Sequence, residues 1–167
     1  MKYLLDTDIC ILLIRQKSAR VLQRLITQQP GQVGISSITL AELAYGAEKS
    51  AQVEQNRAAL QQFLLPLELA DFDQPAALAY GKIRAGLERA GQVIGSMDLL
   101  IAAHALSLGA ILVSNNQREF QRVNGLLMED WLSEAGSSIH TTCQGKNKKA
   151  PRNLSASHVV QALPLRL

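Results

Sequence analysis

Apolar and polar positions follow one another along this chain in two rhythms. Short unbroken apolar runs are separated by longer stretches in which apolar residues return every three or four positions. "KYLLD" (2–6), "VGIS" (33–36), "LELAD" (67–71) and "AILVS" (110–114) read as strands buried on both faces, and "GLLMEDW" (125–131) as a short fifth. Between them the helical period dominates. A first helix runs from the Asp6–Asp8 caps toward Lys17, and "SARVLQRLITQQ" (18–29) follows with Ser18 as its cap. Pro30-Gly31 marks a turn. "SITLAELAYGAEKS" (37–50) predicts a helix that buries Leu40 and Leu43 and frays near Gly46, and "VEQNRAALQQFLLP" (53–66) predicts another, stopped by Pro66. "DQPAALAYGKIRAGLERAGQ" (73–92) carries Asp73 as cap, Pro75 in its first turn and Gly91 at its end. "SMDLLIAAHALSLG" (96–109) follows, with Ser96 as N-cap and Gly109 past its end, and "NNQREFQRV" reads as a turn and a short helix. Strands alternating with helices predict an α/β fold on a parallel sheet, in which ligands collect beyond the carboxyl ends of the strands.

The pattern breaks at Ser133. Residues 133–167 are rich in Ser, Thr, Asn, Gln and Lys, with no sustained period until "VVQALPLRL". They are expected to form a basic polar tail, disordered or loosely attached to a domain at 1–132. Charge divides at the same place. Residues 1–132 hold 12 Lys and Arg against 13 Asp and Glu, whereas the tail holds five cations (Lys146, Lys148, Lys149, Arg152, Arg166) against Glu134. The net charge of +3 therefore belongs to the tail and says little about nucleic-acid binding by the body. Aromatic residues at 4% supply few stacking platforms for single strands. No apolar run approaches the ~18 residues that span a bilayer, and the N-terminus carries no signal-peptide pattern. Cys10 lies inside an apolar run, far from Cys143, and reads as a buried thiol suited to a reducing cytoplasm.

Four acids stand in apolar surroundings. Asp6 ends the first strand, inside "LLDTDICILLI". Glu42 lies one turn into the helix after the second, near Leu40, Leu43 and Tyr45. Asp98 sits in the first turn of "SMDLLIAAHA". Glu119 follows Asn115 and Asn116 after the fourth strand. A parallel α/β sheet brings all four to one rim. Carboxylates crowded there repel one another, and hard divalent cations relieve the repulsion: Mg²⁺ or Mn²⁺ prefers carboxylate and water oxygens. Such sites hydrolyse phosphodiesters. No His/Cys cluster suggests zinc, and the isolated His104, His140 and His158 suggest no Ser/His/Asp triad. His104, about 240° around its helix from Asp98, is expected to point away from the rim.

Each acid also has a plainer reading. Asp6 and Asp8 serve as helix caps, Glu42 as a surface residue, Asp98 as a first-turn acid favoured by the helix dipole, and Asn115 and Asn116 as turn formers. Arg84 and Arg89 form a solvated helix face or, with Arg118, a contact to RNA phosphates.

"LLDTDICILLI", "ISSITLAELAYGAEKS" and "YGKIRAGLERAGQVIGSMDLLIAAHALSLGAILVSNNQREFQRVNGLLMEDW" together resemble a PIN domain, specifically the VapC-type toxins of bacterial toxin–antitoxin pairs. The resemblance covers roughly residues 1–132. It implies a three-layer α/β/α fold with a central parallel sheet, usually dimeric. It also implies a Mg²⁺-dependent ribonuclease (Mn²⁺ substituting) that acts on structured RNA, with tRNA and initiator tRNA recurrent targets. A small VapB-type antitoxin would hold the enzyme inactive, and operator DNA would be reached only through that antitoxin. Carried over by motif, Asp6, Glu42 and Asp98 are metal ligands; if the family's fourth acid belongs at Asn116 the set is one charge short, and if Glu119 serves the set of catalytic acids is complete. Thr7 and Ser96 match small hydroxyl positions that orient ligand or water, and Asp8, Asn115 and Asn116 stand in support. Two other readings stay open. One is a non-catalytic PIN-like module in an antitoxin–operator repressor complex. The other is an aspartate-nucleophile phosphatase, for which D-x-D in "LLDTDI" is suggestive but Glu42 has no role.

Overall fold

The computed structural model describes residues 1–133, and all but the first residue of the expected tail at 133–167 lies outside them. Five parallel strands form one sheet in the order β3-β2-β1-β4-β5: β1 (Tyr3–Leu5), β2 (Val33–Ser36), β3 (Glu68–Ala70), β4 (Ile111–Val113) and β5 (Met128–Glu129). Seven helices among the described residues connect them: α1 (Thr7–Ile14), α2 (Ala19–Ile26), α3 (Ser37–Glu48), α4 (Val53–Leu64), α5 (Gln74–Arg89), α6 (Ser96–Leu108) and α7 (Gln117–Phe120). The expected elements are all present, each within a few residues of the pattern.

Period two on β1 divides the core. Tyr3 and Leu5 face one layer, where Ile9, Cys10, Leu13, Val21, Leu43, Phe63 and Trp131 pack. Leu4 faces the other, with Leu99, Ala102, Ala105, Phe120 and Leu126. Helices cover both faces, so the inner strands are buried along their whole length. The edge strand β3 differs. Glu68 and Leu69 are exposed there, and only β2 pairs with this strand. Cys10 is fully buried, and its thiol is pushed well above the ordinary range by that burial, then by Asp6.

Most caps are the expected ones. Asp6 caps α1, Ser18 caps α2, Asp73 caps α5, and Gly109 closes α6 in the left-handed region (φ 61°). Three expectations need correction. Ser96 is not the N-cap of α6: Gly95 takes that half-extended position, without a side-chain cap, and Ser96 is the first helical residue, exposed. The α3 helix continues through Gly46 to Glu48, because Leu43 and Ala47 are buried on either side of that glycine. Tyr45 is 64% exposed and does not help enclose Glu42.

Candidate active site

The strand register assembles the rim. Leu5 pairs with Val113 on one side and Ile35 on the other, so the next residues, Asp6, Ser114 and Ser36, emerge together at the carboxyl edge. Asp6 is only 4% exposed, yet both its oxygens are occupied. Oδ1 accepts from the Thr7 N–H (2.7 Å) and Oδ2 from the Ser114 hydroxyl (2.7 Å). Burial is the main cause that pushes its carboxyl up. The two hydrogen bonds oppose it, and Asp8 and Glu42 add to it.

Thr7 turns its hydroxyl outward and donates to Glu42 Oε2, joining α1 to α3. α6 runs back against the strands, so its N-terminus meets the same rim. There Asn116 Nδ2 donates to Asp98 Oδ2 (3.1 Å), while the Asn116 N–H donates to Ser114 Oγ (3.0 Å). The Gly95 N–H donates to Glu119 Oε2 (2.8 Å). The Asp98 carboxyl is pushed up to about 6, first by burial and then by the negative charges of Asp6, Glu119 and Glu42. That coupling puts all four acids within electrostatic reach of one point.

Asp8 is exposed on the first turn of α1, and Asn115 is exposed where the chain leaves β4. Arg84 lies on the exposed face of α5, tied to Glu88 (2.8 Å) and the Tyr80 hydroxyl (2.9 Å). Arg89 is exposed near the end of the same helix, and Arg118 is exposed on α7 beside Glu119. His104, expected to point away from the rim, instead reaches Ser36 at the end of β2 from the buried side. It is fully buried, with Nδ1 2.8 Å from Ser36 Oγ and its ring edge-on to Phe72.

Ser114 is a site residue that sequence reasoning missed. Its only sequence signal is a hydroxyl directly after a buried strand, and the pairing with Asp6 depends on a register not written in either segment.

The donor set is wholly oxygen, and among the described residues none of the four acids is ion-paired to Lys or Arg. Nor do three acidic, histidine or cysteine side chains there close into a metal cage. An open rim of uncompensated carboxylates fits a hard cation that keeps several waters and takes few protein ligands. It does not fit a tightly caged structural ion.

The family described as PIN domain matches residues 3–126. The tRNA(fMet)-specific endonuclease VapC of Shigella flexneri is 49% identical over 131 residues, covering 78% of this chain and 98% of the relative. Among solved structures, the DNA-bound VapBC of Salmonella typhimurium superposes with a TM-score of 0.75 at 45% identity, over 78% of this chain and 98% of that one. VapBC2 of Rickettsia felis, bound to a DNA fragment from its promoter, gives 0.72 at 42% identity, over 78% of this chain and 99% of that one. With its parallel five-stranded sheet and its acids gathered on the carboxyl rim, the chain belongs to the PIN-domain family, among the VapC-type ribonucleases.

Proposed function

We propose that the chain is a divalent-cation-dependent endoribonuclease, the toxin of a toxin–antitoxin pair, with initiator tRNA as its substrate and a small VapB-type protein as its inhibitor. The observation that carries this reading is the rim where Asp6, Glu42, Asp98 and Glu119 interact without a protein cation; burial first, and then the other three charges, lift the Asp98 carboxyl to about 6. The relative that acts on tRNA(fMet) supports the substrate, and the VapBC complexes support the partner. Two of those complexes hold DNA, so operator binding here is assigned to the complex and not to this chain alone. Homodimers are the expected assembly of the toxin itself.

Asp6, Glu42 and Asp98 would hold Mg²⁺, with Mn²⁺ able to replace it. When bound, the ion supplies Lewis-acid polarisation of a phosphate oxygen and eases deprotonation of the attacking water. The chain's own residues do the rest. Ser114 and the Thr7 N–H lock Asp6 in one orientation. The Thr7 hydroxyl holds Glu42, and Asn116 holds Asp98. Each carboxylate is thus set before substrate arrives, and reorganisation at the moment of reaction is small. Exposed Arg84, Arg89 and Arg118 supply positive charge for the RNA backbone, Arg84 already oriented by Glu88 and Tyr80.

Purified, partner-free protein is incubated with total bacterial RNA and with initiator tRNA, in Mg²⁺, Mn²⁺ or EDTA, beside Asp6→Ala. The expected result is discrete cleavage, lost with EDTA and with the substitution. Folded protein that cleaves nothing with either metal would favour the non-catalytic module, for which Asn116 in an acid's place is the feature that speaks.

A further inference from the structure

The segment from Asn116 to Arg122 reaches across to the first turn of α6 and the loop before it through three bonds. Asn116 holds Asp98, Glu119 Oε2 accepts from the Gly95 N–H, and Arg122 Nη1 donates to the Val93 carbonyl (3.0 Å). Gly95 is the pivot. It starts α6, its carbonyl accepts from the Leu99 N–H (2.8 Å), and it has no side chain with which to cap the helix. A Cβ built there would sit 3.3 Å from Asp98 Oδ2 and 3.7 Å from Glu119 Oε2. The two carboxylates therefore close around one bare α-carbon. Glu119 spends an oxygen on a backbone donor at that pivot, where a carboxylate also suits the positive end of the helix dipole.

We propose that Glu119 is a positioning residue: through the Gly95 amide it fixes the first turn of α6, and with it Asp98, against the rim, so its acceptor oxygen matters more than its charge. The proposal rests on the ribonuclease reading for its catalytic consequence but not for its structural one. It separates Glu119 from the three acids that would hold the cation.

Three variants divide the alternatives. Glu119→Gln keeps an acceptor of the same reach and loses the charge. Glu119→Asp keeps the charge and is one methylene short. Glu119→Ala loses both. Gly95 amide hydrogen exchange is measured in metal-free protein, Mn²⁺ affinity by electron paramagnetic resonance, and RNA cleavage under single turnover. A positioning role gives a Gln variant within about threefold of the parent in all three readouts. The Asp and Ala variants then exchange Gly95 about tenfold faster, bind Mn²⁺ about tenfold more weakly and lose about 10²-fold in rate. A Gln variant as damaged in Mn²⁺ affinity as Ala, with Gly95 still protected, would overturn the proposal. So would Gly95 exchange that none of the variants changes. If the parent cleaves no RNA, the ribonuclease reading falls, while exchange and Mn²⁺ affinity still decide the role of Glu119.

Discussion

A carboxylate at 4% exposure is stable only if its oxygens are satisfied, and Asp6 meets that condition with one backbone and one hydroxyl donor. Asp98 has less: a single amide donor and three acids nearby. Its cost in the metal-free fold follows from that imbalance. Asp98→Asn removes one charge from the crowd while keeping the shape. It is expected to stabilise the metal-free protein on the order of 1 kcal/mol after allowance for solvent screening, about 3–5 °C in Tm for a domain of this size. It is also expected to abolish RNA cleavage and the rise in Tm that saturating Mg²⁺ gives the parent. Thermal melts with Mg²⁺ and with EDTA check both; a variant that melts lower than the parent without metal would contradict the account. The four rim acids were legible in the sequence as candidates because a charged residue in an apolar setting is costly and demands a reason. Ser114 was not, since serine after a strand is ordinary until its neighbour across the sheet is known.

At the scale of elements, strand and helix periods gave the order and type of every segment described, because burial on two faces leaves a strong pattern. Boundaries were set more locally. The N-cap of α6 moved back one residue, from Ser96 to a glycine whose bare α-carbon lets Asp98 and Glu119 approach. A second glycine is required by contact between strands. Gly34 on β2 pairs with Glu68 on β3, and a Cβ there would run into the Glu68 carbonyl and Met1 Sδ and lie 2.9 Å from Glu68 Cβ. The Met1 side chain can move, but the Glu68 backbone cannot without opening the sheet edge. Gly34→Ala is therefore expected to cost about 1–3 kcal/mol in urea unfolding. The loss should fall on β3 first, as faster amide exchange at Leu69 and Ala70, whereas the rim acids on β1 and α6 should stay protected.

Across the whole molecule, one buried residue joins elements that the chain separates widely. His104 on α6 meets Ser36 at the end of β2 and Phe72 after β3. Burial pulls its pKa below the ordinary value of 6.5, against the opposing charges of Asp73 and Asp71. The folded chain thus binds this proton more weakly than the unfolded chain. The stabilisation is complete above about 6.5 and is lost as pH falls through the lower folded value. Stability is expected to decline on acidification below 6.5, and His104→Gln, which cannot titrate, should flatten that decline in denaturant midpoints measured from pH 7.5 to 5. An equal slope in parent and variant would place the titration elsewhere.

The sequence alone determined the alternation of strands and helices and the parallel class of the sheet, and it offered four acids whose apolar settings made them candidates for chemistry. These are properties of local periodicity and of the free-energy cost of burying charge, and both are written residue by residue. Only the tertiary structure decided which hydroxyl holds Asp6, that Asn116 holds Asp98, and that Glu119 faces the Gly95 amide. Those depend on strand register and on the packing of α6 and α7 against one another. They arise between segments far apart in the chain, so no local pattern records them.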